Sequence, residues 1–196
     1  IRRFVGKRRQ SLFHMQCNNR EWFAACHDKA LFYTLMKGGG FRTPETVALA
    51  APSPRGGYDR ILDGAEATTA FLLQNSEWPL FAKPIDGMFS VGALRIAGRD
   101  GTTLAIDNVG PVPAADVAAY VGAMSETGYL FQRCLAPSAF AAANFSGALS
   151  TVRFLVLFGE AAPVIESAVI KIPARDAIAD NYWHPGNMLG ALDPAS

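Results

Sequence analysis

The sequence predicts an α+β fold, on three observations. Helix-like stretches follow pairs of strands without strict alternation, hairpin-type turns join the strand pairs, and no internal repeat or low-complexity segment imposes a longer period. Half of the 196 residues are apolar and 18% are charged, which is enough for a core and too hydrophobic for disorder. That length suits one domain, or two small lobes sharing a cleft.

Taken in order, residues 1–27 mix basic, aromatic and amide side chains with no clean period, so they stand as an N-terminal segment of undefined structure. Asp28 is a good N-cap for a helix through Ala30, Leu31, Leu35 and Met36, and Gly38-Gly39-Gly40 ends it with residues that accept positive φ. Residues 46–50 read as extended, 51–57 as a turn-rich connector, and 65–73 as a helix presenting Ala70 and Leu73 to a core. Residues 79–84 form a short strand by length and flanking prolines. The loop Asp86 to Gly92 leads to a strand over 93–96, which Asp100-Gly101 turns into 102–106. A helix over 114–124 and a strand over 129–135 follow. After the small residues of 137–147 come two longer strands, 151–158 and 164–172, and a loop-like tail over 180–193.

A formal net charge of +1 gives no global field to gather nucleic acid or a membrane surface, so any phosphate binding must be local. No apolar run approaches the ~20 residues of a membrane span. Three cysteines, Cys17, Cys26 and Cys134, are an odd number at irregular spacing, which points to a reducing compartment and a cytoplasmic location. Cys17, Cys26 and His27 fit no common zinc spacing. The start at Ile1 without a Met, and the end at Pro194-Ala195-Ser196, are read as a fragment at both ends.

Lys83 ends a strand whose alternation places it on the same face as Phe81. A cationic head beside an apolar wall suits a nucleotide, and Gly87, Ser90 and Gly92 would let backbone N–H groups approach phosphate oxygens. A solvated strand end explains the same lysine. Thr151 and Arg153 share a strand face opposite Val152, Phe154, Val156 and Phe158, which would be the core side. Arg grips phosphate or carboxylate through two parallel hydrogen bonds, although a structural ion pair is the plainer role. Asp180-Asn181 and Gly186-Asn187 form a polar loop after the strand carrying Lys171; they could complete a phosphate or metal cradle, or simply turn the chain. His184 lacks a carboxylate to orient it as a base. No Walker pattern and no Ser-His-Asp or Cys-His set is legible.

In sequence order these pieces resemble the ATP-grasp superfamily, in particular the sugar-transfer-associated ATP-grasp proteins of bacterial polysaccharide gene clusters, from about Asp28 to Asp193. Asp28-Lys29, the helix, the glycines and Thr43-Pro44 are similar to that superfamily's entry segment, in which the Lys contacts ATP phosphate. Leu80-Phe81-Ala82-Lys83-Pro84 with its glycines resembles the second phosphate-binding Lys and mobile phosphate loop. Gln132, Arg133, Cys134 and Leu135 occupy the place of the hinge strand whose backbone holds adenine. Ser150-Thr151-Val152-Arg153 looks like the Thr-x-Arg strand, and Asp180-Asn181 like the Asp-Asn loop. Where the family tends to place two glycines, this chain has Gly186-Asn187.

The resemblance implies two small α+β lobes with antiparallel sheets enclosing a nucleotide cleft. Residues 28–78 would be a linker and N-terminal helical part, 79–135 a lid-like subdomain, and 136–196 a partial C-terminal subdomain. It implies an ATP- and Mg2+-dependent ligase that activates a small carboxylate as an acyl phosphate for attack by an amine or other nucleophile, in polysaccharide metabolism. Lys29 and Lys83 would hold phosphates, Arg153 would neutralise the transferring group, and Lys171, Asp180 and Asn181 would complete the site. The family's magnesium ligands would lie beyond the last residue, so the chain by itself is expected to be inactive. Two other readings stay open: a kinase-like phosphotransferase acting on a hydroxyl, and a non-catalytic nucleotide-binding module.

Overall fold

A computed structural model of the chain describes residues 6–145, 149–160, 162–181 and 184–193. The chain divides into two compact units, Ile1–Thr43 and Pro44–Ser196. Among the described residues no helix is long and apolar enough to cross a membrane.

The first unit is helical: α1 (Lys7–Cys17), a single 3-10 turn, α2 (Phe23–His27) and α3 (Lys29–Gly38). The Asp28 carboxylate accepts the Leu31 N–H at 2.9 Å, capping α3 as its side chain allows. Gly40, at φ 77°, turns the chain so that the Phe41 N–H reaches the Met36 carbonyl at 2.9 Å. The stretch before Asp28, which has no clean period, is thus mostly helical, and α1 buries none of its residues.

The second unit holds two sheets. Strands β1 (Thr46–Ala50), β2 (Ile61–Leu62), β3 (Leu80–Pro84), β4 (Leu94–Asp100), β5 (Thr103–Ile106), β6 (Gly110–Pro113) and β7 (Tyr129–Arg133) form the larger one, with α4 (Gly64–Gln74) and α5 (Ala114–Met124) between them in sequence. Its order is β2-β1-β7-β3-β4-β5-β6. Only β1 and β2 run parallel; every other neighbour is antiparallel. After α6 (Ala139–Asn144), strands β8 (Thr151–Leu157), β9 (Val164–Ile172) and β10 (Met188–Leu192) make an antiparallel sheet in the order β10-β9-β8. The class is therefore α+β, with two mainly antiparallel sheets.

Alternation decides which face of the large sheet is core. Leu80 and Ala82 of β3, Tyr129 and Phe131 of β7, and Ile96 of β4 pack with Phe71 and Leu72 of α4 and Val117 and Val121 of α5. The Phe71 and Phe131 rings lie 5.2 Å apart, a separation at which aromatic pairs add stability beyond their buried area. Ala70, placed on the core face of α4 by the sequence, is exposed; Thr68, Phe71 and Leu72 point inward instead. Thr68 can do so because its hydroxyl donates back to the Gly64 carbonyl at 2.9 Å. The tail is not all loop, since β10 pairs with β9 over five residues.

The apolar face predicted for β8 is not buried either: Val152 is 46% and Phe154 57% exposed, and a register shift at Leu155/Val156 breaks the alternation.

Tyr129 is fully buried, and its hydroxyl donates to the Gly92 carbonyl. Burial pushes its pKa well above the ordinary 10.0. The unfolded chain therefore loses this proton first, so stability is complete below that value and falls as pH rises past it. The expected slope is about 1.4 kcal/mol per pH unit. Urea midpoints of wild type and Tyr129→Phe between neutral and strongly alkaline pH should show a shallower loss in the variant; equal slopes would refute this.

Candidate functional site

The face of the large sheet opposite α4 and α5 carries Phe81, Lys83, Arg95 and Gln132 beside the fully buried Leu49 and Leu130. Phe81 stands across from Arg95 on β4 and from Gln132 on β7, and Lys83 follows two positions on. Strand geometry therefore puts Phe81, Lys83, Arg95 and Gln132 on one side. The Lys83 ammonium lies 5.7 Å from the centre of the Phe81 ring, within cation–π range. Gln132 is buried, and its Nε2 donates to the Thr46 hydroxyl at 3.0 Å.

Arg95 and Asp107 were not singled out from the sequence. Their ion pair is 2.5 Å long. The hydrogen bond to Asp107 raises the Arg95 pKa and holds the guanidinium in place, while the carboxylate offsets its charge. Its other neighbour is Cys134, whose thiol is pushed up by burial and drawn partly back by Arg95. The signal for Arg95 was its period-two spacing in β4, but only the β3–β4 register aligns it with Phe81.

Between β3 and β4, the loop through Gly87, Ser90 and Gly92 has unusual backbone. Phe89 (φ 62°) and Ser90 (φ 59°) both occupy the left-handed region, as does Gly92 (φ 76°). Two adjacent non-glycine residues there mark a segment held by its surroundings. Gly92 is glycine for packing as well: a Cβ would lie 2.8 Å from Met124 Cε and 2.9 Å from Pro84 Cγ. Gly87 is similarly close to Pro84.

A second set lies on the small sheet. Thr151 of β8 is directly opposite Lys171 of β9, and both reach Asp180. Lys171 Nζ meets Asp180 Oδ1 at 3.1 Å, and the Thr151 hydroxyl donates to Oδ2. Lys171 is only 8% exposed, so this carboxylate compensates a buried charge. Arg153 shares its face of β8 with Thr151 and is exposed.

Side-chain hydrogen bonds join the elements carrying these sets. The Ser90 hydroxyl donates to Asn181 Oδ1 at 3.0 Å, and Asn108 Nδ2 donates to the Asp176 carbonyl at 2.6 Å. The structure thus assembles Lys83 with Phe81 and Gln132, and Ser90 with Asn181, Asp180, Lys171 and Thr151.

Other expected residues are differently occupied. The N–H groups of Arg133 and Cys134 donate to the carbonyls of Glu45 and Pro79, so a base seated there would not be read by those two donors. The Arg133 guanidinium is engaged by Glu45 and Glu77, and Leu135 is exposed. Lys29 is the first residue of α3, in the helical unit.

Lys83 and Arg95 suit a polyphosphate by charge, with Asp107 already taking one N–H of the guanidinium. Mg2+ would need carboxylate oxygens, and the Asp107 and Asp180 carboxylates are already engaged. Asp107 is engaged by Arg95, and Asp180 by Lys171 and Thr151. Among the described residues no three His, Cys, Asp or Glu side chains converge. No protein-family model matches the chain, and no curated protein matches it.

Proposed function

We propose that the chain binds ATP on the Phe81–Lys83–Arg95 face of the large sheet, as part of an ATP-grasp-like ligase that activates a carboxylate as an acyl phosphate. The observation that carries this reading is two cationic side chains beside one aromatic ring, the guanidinium held by Asp107. Lys83 over Phe81, and Arg95 across from it, share the half-buried face of a sheet whose other face is core.

In this reading Lys83 and Arg95 hold the phosphates, and Phe81 supplies an apolar wall for the rest of the nucleotide. The Ser90 loop covers the phosphates, and Arg153 neutralises charge as it spreads over the transferring group. Such a reaction needs positioning and charge compensation more than covalent help from the protein. A small carboxylate would be the acceptor, and an amine or other nucleophile would displace phosphate from it.

Calorimetric titration with ATP tests the site. Wild type should bind, and Lys83→Ala and Arg95→Ala should each weaken binding by about tenfold or more, equivalent to about 1.4 kcal/mol. No binding by wild type at millimolar ATP, or wild-type affinity in both variants, would refute the assignment. Product analysis with the active protein then separates an amide or ester with ADP from a stable phosphate ester.

A further inference from the structure

The loop between β9 and β10, within the small sheet, is tied to loops of the large sheet by Asn108 and Ser90, and one side chain braces it from within. Asn187 uses both ends of its amide. Its Oδ1 accepts the Ala174 N–H at 2.7 Å, while its Nδ2 donates to the Ala179 carbonyl at 3.1 Å and to the Asn181 carbonyl at 2.6 Å. Residues on both sides of Asp180 are thereby pinned to the start of β10. Gly186 makes the approach possible: at φ 86° it turns the chain, and a Cβ there would stand 3.2 Å from Ala174 Cβ. The same loop is held from outside at Asp176 by Asn108, at Asn181 by Ser90, and at Asp180 by Thr151 and Lys171.

We infer that Asn187 is a positioning residue: it touches neither cation of the site, yet it sets where the Asp180 carboxylate and the Asn181 amide stand. Without the two donations from Nδ2, the carbonyls at 179 and 181 lose their partner and the loop can pivot about Ala174. Asp180 then withdraws from Lys171, and Asn181 from Ser90. The consequence for nucleotide binding rests on the function proposed above; the consequence for Lys171 does not.

The test therefore reads both. Acetylation of Lys171 by an amine-reactive ester, followed by peptide mass spectrometry, reports its pairing, with the exposed Lys37 of α3 as internal reference. In Asn187→Ala and Asn187→Asp the Lys171 rate should rise by about tenfold relative to Lys37, since local opening of that size exposes a protected group. Asn187→Asp keeps the shape and the acceptor but loses the donors, so wild-type behaviour in that variant would overturn the role of Nδ2. Unchanged Lys171 labelling in both variants overturns the inference whatever ATP does.

Calorimetry with ATP on the same proteins should show about tenfold weaker binding in both variants. Raised labelling with undiminished affinity would overturn the positioning role. Raised labelling with no ATP binding by wild type would uphold the brace and refute the nucleotide reading. Should either variant unfold, native-state hydrogen exchange on wild type decides: the Ala174 amide should be strongly protected, and exchange at the rate of an open loop would overturn the inference.

Discussion

Asp180→Ala is expected to destabilise the chain by about 3 to 5 kcal/mol, the usual result of stranding one partner of a buried ion pair. Lys171 is 8% exposed and its ammonium meets Asp180 at 3.1 Å, so the variant leaves a buried charge with that carboxylate gone. The Thr151 hydroxyl loses its acceptor at the same time. Urea unfolding should show a lower midpoint with little change in slope. Salt should not restore it, because screening acts weakly on buried groups. The cause can be isolated by adding Lys171→Met. An apolar side chain of similar length removes the stranded charge, so the double variant should recover most of the loss. A double variant as unstable as Asp180→Ala alone would assign the damage to the loop or to Thr151 instead.

Gly128→Ala should be comparably severe, for a different reason. Gly128 sits at φ 134°, and a Cβ there would stand 2.7 Å from the Ala50 carbonyl oxygen, 3.3 Å from Ala51 Cβ and 3.3 Å from Ile85 Cδ1. The nearest atom is backbone at the end of a buried strand and cannot swing aside. Backbone strain and steric conflict together should cost about 3 kcal/mol or more. The Gly128 carbonyl also accepts the Ile85 N–H at 3.0 Å, so the shift is transmitted to the end of β3, two residues from Lys83. The same substitution at Gly122, exposed on α5 with open space around its Cβ position, should stabilise by about 0.5 to 1 kcal/mol. Opposite signs in thermal unfolding are the expected outcome, and a mild effect at Gly128 would refute the steric account.

The elements legible in the sequence are those whose cause is local. Asp28 caps α3 with its own side chain, Gly101 turns β4 into β5 at φ 56°, and α5 starts and ends where its pattern does. What depended on distant partners was not legible. The insertion of β7 between β1 and β3 is a long-range choice, and so is the β3–β4 register that brings Arg95 opposite Phe81. Lys171 and Asp180 could each be singled out by residue type, but only the fold shows that one carboxylate serves both Lys171 and Thr151. Gly87 and Gly92 were read for phosphate approach, whereas their surroundings give a packing reason against Pro84. The small-sheet face opposite Arg153 was misjudged because alternation says that two faces differ, not which of them is covered.

The two sheets also differ in how they end. β6, the outer strand of the large sheet, carries Pro111 and Pro113, which have no N–H to offer, and β2 at the other margin is two residues long. The small sheet is bounded by β8 and β10, of seven and five residues, with no proline and with Phe154, Leu155 and Leu189 open to solvent. Recruitment of an extra strand, whether from a partner or in aggregation, is therefore directed to β8 and β10 and turned away from the sheet that bears Lys83.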